Sequence, residues 1–444
     1  MDALPACGGS AYPGTARHGE AVLSTIRAAR SLPRTVQLLL LNQFGVNLGF
    51  YLLVPYLATH LRENLHLATG VVGAIIGARC LSQQGLTLFG GSAADRIGCR
   101  PLIITGCALR AVGFGAFAFL DNVPGLLAAA LVTGVAGAVF SPATRAYLAV
   151  ESGSQRLRAF ALFNVAGEAG TLLGPLLGGI LLAVEFRVVA TTAAAVFALL
   201  TIAQALTLPA RAPRPVAQSV LADWREMGAN RHFLLFICAT SGLFVLYNQL
   251  YLTLPLEVSR VSGMDSAVAV LFIASTLVTL CLQVRITDWC QRHWEPATAI
   301  GVGLTLCGLA FAPLAITGSL QPTAAGTHDD GIVAVLGSLP AIFPAILATI
   351  VLTLGVAVAQ PFVLDRTPAF GRGALTGTYL GANAMAGGLA AAIGNTVVGC
   401  ATDLGIRLDM PWLPWTLLVG YGLSCAVLIG VLRVRAAFPD QDRS

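Results

Sequence analysis

One carboxylate falls in the middle of an apolar run. The stretch Asn164-Val-Ala-Gly-Glu-Ala-Gly-Thr-Leu-Leu-Gly-Pro-Leu-Leu-Gly-Gly179 carries Glu168, and with its flanks it is long enough to cross a bilayer. An acid in hydrocarbon is costly and marks a candidate path for protons, ions or substrate. Directly after it come Gly170, Gly174, Gly178 and Gly179, with Pro175 among them. Glycines four apart make a flat helix face that another backbone can approach closely. Two further charges, Arg79 and Arg110, lie at about the tenth position of their own apolar runs, as Glu168 does in its run. At a rise of about 1.5 Å per residue all three reach the midplane. Buried charges pair, so Arg79 or Arg110 is the expected partner of Glu168. Burial favours the neutral acid and a close arginine the charged one. Alternating exposure to the two sides would then load and unload a proton; a purely structural ion pair is the plainer alternative.

Polar side chains at helical spacing extend this site. Gln43, Asn47 and Tyr51 step by four along one face, and Arg79 and Gln83 do the same in the next run. With Asn164 they form the expected polar lining of the N-terminal part. The C-terminal part is poorer in intramembrane charge, and its candidates are Tyr247, Asn248, Tyr251, Gln283, Gln360 and Asn383. Tyr247 and Tyr251 would line an apolar cavity for lipophilic guests, or simply pack against neighbouring helices.

The elements that must hold these residues are legible from composition. The chain has 444 residues, 56% hydrophobic and 11% charged, with mean hydropathy +0.79. Soluble domains average about 25% charged, so the class is a polytopic membrane protein, and the net charge of +5 is no sign of nucleic-acid binding. Apolar runs, each enough for roughly 30 Å of hydrocarbon, lie near 35–58, 69–90, 101–120, 125–149, 159–184, 187–208, 233–256, 266–286, 297–318, 332–358, 376–401 and 412–433. All basic residues are arginine; nineteen fall in the tails and the loops of one side and four in the loops of the other. That bias puts both termini in the cytoplasm of a multi-pass cell-membrane protein. The remaining three, Arg79, Arg110 and Arg145, are within spans. The ten cysteines show no paired spacing of the disulfide or zinc kind and read as small buried hydrophobes.

Weak internal repeats recur in order. Tyr51 to Pro55 is echoed by Tyr251 to Pro255, Pro142 to Asn164 by Pro361 to Asn383, and Asp95 by Asp288. The expected fold is an all-α membrane protein with twelve transmembrane helices in two six-helix, pseudo-symmetric halves. The expected divisions are a cytoplasmic tail at 1–33 (with a short surface helix at 20–31), an N-terminal half at 34–208, a cytoplasmic linker at 209–232, a C-terminal half at 233–434 and a tail at 435–444. Repeat-built transporters place their substrate near the midplane between halves.

The loop Gly91-Ser-Ala-Ala-Asp95-Arg96-Ile-Gly98-Cys-Arg100 is the most specific local pattern. Its glycines allow a tight turn, and Asp95 and Arg96 are placed to latch neighbouring helix ends. Arg145 is near enough in depth to share that latch, and Asp365 and Arg366 serve the equivalent end of the tenth span. This loop resembles the signature loop of the major facilitator superfamily, departing from it at Cys99, where a basic residue is usual. The run Gly170, Gly174, Pro175, Gly178, Gly179 is similar to the antiporter signature of that superfamily's drug:proton exchangers. Gly49 and Pro55 fit, in part, a third exporter motif. Arg79, Gln83-Gln84-Gly85, Gly90-Gly91, Asp95-Arg96 and Arg110 resemble the MdtH-type multidrug exporters. The arginine that many proton-coupled exporters carry early in the fourth span is absent between Leu126 and Val139.

No metal-spaced histidine cluster, P-loop or nucleophile elbow appears in the sequence. The expectation is a secondary transporter rather than an enzyme, working without a cofactor and as a monomer. Proton-coupled export of lipophilic or amphipathic small molecules is the leading reading, with the glycine face letting the halves rock. The alternatives are a metabolite or sugar transporter of the same fold and, in another class, a non-transporting membrane scaffold or sensor.

Overall fold

The computed structural model describes residues 27, 29–211, 219–264, 267–317, 332–371 and 375–434. Most of the expected surface helix at 20–31, residues 212–218 of the linker and the tail 435–444 lie outside the described residues, as does Arg372. Every regular element among the described residues is helical: α1 (Arg34–Thr59), α2 (Thr69–Gly85), α3 (Thr87–Ile97), α4 (Cys99–Phe119), α5 (Val123–Glu151), α6 (Arg156–Leu182), α7 (Phe186–Thr207), α8 (Val220–Ala229), α9 (Arg231–Asn248), α10 (Thr253–Ser262), α11 (Val268–His293), α12 (Pro296–Leu309), α13 (Ala312–Thr317), α14 (Ile332–Arg366), α15 (Thr376–Arg407) and α16 (Leu413–Val434). A backbone in lipid must satisfy its own polar groups, which leaves helices as the solution for such apolar runs.

Eleven helices among the described residues are long and apolar enough to cross a membrane. The second expected span, 69–90, is the pair α2 and α3, broken at Leu86. The seventh expected span is likewise two helices, α9 and α10, and the ninth is α12 with α13. The break after α9 is held by Gln249, which is fully buried: its Nε2 donates to Val245 O and Asn395 Oδ1, and its Oε1 accepts from Thr253 Oγ1. A side chain replaces the missing ladder bonds there, which apolar periodicity does not reveal.

The apolar interior falls into two clusters. One is built from α1 to α7 with Val284, Leu364 and Leu380, and the other from α8 to α16 with Leu88 and Leu157. These few crossing residues lie where the two halves meet. Several cysteines differ from expectation. Cys107, Cys290, Cys307 and Cys425 are buried, but Cys80, Cys238 and Cys400 are exposed. In a membrane the outer surface is apolar too, so hydrophobicity does not predict burial.

The glycine ladder serves a different contact from the expected one. A Cβ at Gly170 would stand 2.4 Å from Phe44 O, one at Gly174 2.8 Å from Tyr51 Cβ, and one at Gly178 2.3 Å from Leu52 O. Tyr56 Oη donates to Pro175 O at 2.6 Å. The ladder therefore seats α6 on α1 within one half and does not form a sliding surface between halves. Spacing shows a flat face but not which helix covers it.

A short helix absent from the expectations, α8, occupies the linker. Its Ser219 side chain caps it, and it docks on α3: Trp224 Nε1 donates to Ser92 Oγ at 2.8 Å, Trp224 meets Phe89 edge to face, and Arg96 pairs with Asp223. Trp224→Ala removes the bond and the ring contact. Losing about 1–2 kcal/mol of local stability raises the open fraction about 5–30-fold. The expected result is trypsin cleavage at Arg225 faster by that factor, with the melting of the helical bundle unchanged.

Candidate functional site

The two halves close on each other at the face that carries the Gly91–Arg100 loop. There α3 crosses α15 at backbone contact, and a Cβ at Gly91 would stand 2.1 Å from Gly377 O. Asp95 accepts from Gly377 N, Thr378 N and Thr378 Oγ1, each at 2.7 Å. It therefore caps, from the other half, the first turn of a 32-residue helix, where free N–H groups and the helix dipole favour an anion. Gly98, at φ 99°, makes the turn into α4. Arg100 Nη2 donates to Ala205 O at 2.6 Å. The related contact in the repeat is Asp288 of α11 with Arg158 of α6 at 3.8 Å, and Asp365 pairs with Arg156 at 3.6 Å and with Arg366 at 3.3 Å. Three carboxylates thus lock this face across the halves.

Deeper in, between the halves, lies a cavity of about 210 Å³. Of the residues expected there, Gln43, Asn47, Asn164, Tyr247 and Asn383 line it, together with Glu168. Asn47 Nδ2 donates to Gly167 O at 3.0 Å and to Thr171 Oγ1 at 3.2 Å, and its Oδ1 accepts from Gln43 Nε2 at 3.2 Å. These bonds fix the α1 polar stripe against α6. Gln283 Nε2 donates to Ala357 O at 3.0 Å, and Asn383 Oδ1 accepts from Thr240 Oγ1 at 3.2 Å. Three expected members are not among the lining residues. Tyr51 and Tyr251 meet each other across the halves, and Gln83 accepts from Arg79 Nη1 at 3.2 Å and packs on Gly137.

The expected Glu168–arginine pair is not formed in this structure. Tyr247 Oη, from the opposite half, donates to Glu168 Oε1 at 3.1 Å. Arg110 is 5% exposed and sits among Phe50, Phe140 and Phe197, with its guanidinium 5.0 Å from the Phe140 centroid. Arg79 also lies over the Phe50 ring, 5.0 Å from its centroid. Equal depth along their helices suggests a cluster of the three charges, but both cations lie over the aromatic face of Phe50. Arg145 also departs from expectation. It lines the cavity and takes no part in the Asp95 latch, whose carboxylate is already filled by α15.

The C-terminal half is more polar at the cavity than expected. Thr279 and Thr353, not singled out from sequence, join Gln283 and Gln360 in the lining. Thr353, Val356, Ala357, Gln360, Val363 and Leu364 line it in steps of three and four along α14, the periodicity that identified Gln43 and Asn47. The repeat is asymmetric where it matters: Asn164 and Asn383 both face the cavity, but the offset that relates them carries Glu168 to Gly387, where Phe244 fills the space. Only one half supplies an acid to this lining.

Fold and site together define a polytopic transporter, two helical halves around a chamber with one acid. Residues 39–395 match the sequence profile of the Major Facilitator Superfamily, and the chain belongs to that family. It is 37% identical over 398 residues to an uncharacterised MFS-type transporter of Mycobacterium tuberculosis, covering 89% of this chain and 92% of that one. It is 30% identical over 401 residues to the multidrug resistance protein MdtH of Proteus mirabilis, covering 90% and 94%. The solved structure of the Escherichia coli fucose:proton symporter superposes with a TM-score of 0.67 at 14% identity, covering 89% of this chain and 98% of that one, and shares the fold.

Proposed function

We propose that this transporter exports lipophilic or amphipathic small molecules in exchange for protons, with Glu168 as the proton carrier. The observation that carries this reading is the Tyr247–Glu168 hydrogen bond. A single acid of the lining is held by the opposite half, so its protonation alters a contact between the two bodies that must move. Proton binding and rocking are thereby coupled, as linkage requires a ligand to bind the two states differently. The mixed lining, with Phe163, Leu243, Phe244 and Val356 beside the amides, suits an amphipathic guest. The relationship to a multidrug resistance protein supports the same substrate class. In the orientation that the arginine bias implies, the Asp95 latch closes the cytoplasmic side, and Arg79 and Arg110, held over Phe50, shape the field around the acid.

The test is uptake of fluorescent amphipaths of positive, neutral and negative charge into everted membrane vesicles with an acid interior. Accumulation that depends on the protein and disappears when an ionophore collapses the gradient is the expected result. Accumulation indifferent to the gradient would overturn the proton coupling. A second reading, transport of a polar metabolite or sugar, is favoured by the amides of both halves and the threonines of the C-terminal one. A panel of radiolabelled sugars and metabolites separates the two.

A further inference from the structure

The cavity holds a cation that the transport reading does not use. Arg145 belongs to α5 and lines the cavity together with Glu168. Among the described residues it takes part in no hydrogen bond, ion pair or aromatic contact, whereas the carboxylates of the face where the halves close are committed. Asp95 is held by the first turn of α15, Asp288 by Arg158, Asp365 by Arg156 and Arg366, and Asp223 by Arg96. Glu168, the acid of the lining, accepts from Tyr247.

A guanidinium that faces a chamber inside a membrane protein without a counter-charge is costly, and such groups normally pair or mark a path. Its planar fork matches a carboxylate in a bidentate way. The neighbouring lining supplies the rest of a binding site. Asn164, Gln360 and Asn383 offer amide donors and acceptors, and Phe163, Phe244 and Leu364 offer an apolar wall. At the position that the internal repeat relates to Arg145, the other half has Leu364, which also lines the cavity. At this pair of related positions one half presents a guanidinium and the other an apolar side chain.

Building on the transport reading, we propose that Arg145 is the substrate's anion site, and that the preferred guests are amphipathic organic carboxylates whose apolar body rests on the Phe163, Phe244 and Leu364 side. The anion replaces the counter-charge that the protein itself withholds.

Equilibrium binding to the purified full chain in detergent, without any gradient, tests this. The probes are radiolabelled 2-naphthylacetate, its neutral carboxamide, and the trimethylammonium compound with the same naphthyl body. The wild type is expected to bind the carboxylate about 30-fold or more tightly than the carboxamide, the scale on which a buried charge pair is lost when one partner is removed. Arg145→Gln is expected to erase that preference and leave carboxamide affinity in place, which also shows that the site is folded. Arg145→Lys is expected to keep part of the preference. A wild type that binds the carboxylate no better than the carboxamide, or prefers the cation, overturns the proposal, as does a preference that survives Arg145→Gln. Gradient-driven export that persists beside such a result leaves the transport reading standing. A carboxylate preference lost in Arg145→Gln beside export indifferent to the gradient leaves the anion site standing and removes the proton coupling.

Discussion

Glu168→Gln is expected to abolish gradient-driven export while leaving exchange of labelled for unlabelled substrate across proteoliposomes. The glutamine preserves shape, and its carbonyl oxygen still accepts from Tyr247 Oη, which stands 3.1 Å from Glu168 Oε1 in the native protein. What it removes is the ability to bind and release a proton. Burial between the halves and the Tyr247 hydrogen bond both bear on the acid. Rocking that opens the chamber changes both at once. With a fixed neutral side chain the halves still move around a guest, but no proton travels in return. Everted vesicles with an imposed acid interior should therefore fall to the level of vesicles lacking the protein, while counterflow continues. Full gradient-driven accumulation by the variant would end the assignment of Glu168 as carrier.

The second large effect is expected at Gly91. Its α-carbon faces the backbone of α15, and even a methyl group there would approach Gly377 O to 2.1 Å. The obstacle is main chain in a helix, so it cannot swing aside. Gly91→Val forces α3 and α15 apart and pulls Asp95 from its three donors. Overpacking of this kind costs about 3 kcal/mol, which moves a two-state equilibrium by about 100-fold. The open form at this face should then dominate. Spin labels at Ile97 and Trp289, both exposed and on different halves, should report a longer distance in the variant in a cysteine-free background. An unchanged distance distribution would show that the crossing is not what holds this face shut.

The class of the protein and the approximate number of its crossings follow from the sequence, because an apolar run in lipid must satisfy its backbone within helices, whereas the breaks within three of the expected spans do not. The Asp95 loop and the glycine ladder are equally legible, since both depend on spacing within a few residues. So are Gln43, Asn47 and Asn164, which share faces with their own helices. Partners across helices are another matter. Depth along a helix put Glu168, Arg79 and Arg110 at one level, but only the packing of Phe50 between neighbouring helices decided that the arginines stack on rings and the acid meets Tyr247. The glycine ladder was visible as a flat face, yet which helix it meets depends on the order in which six helices surround one another. Arg145 illustrates the limit most directly. Its place at the end of a span suggested a latch charge. The tertiary structure filled Asp95 from α15 and left the guanidinium facing the cavity, because a helix N-terminus with two N–H groups and a hydroxyl satisfies that carboxylate without it.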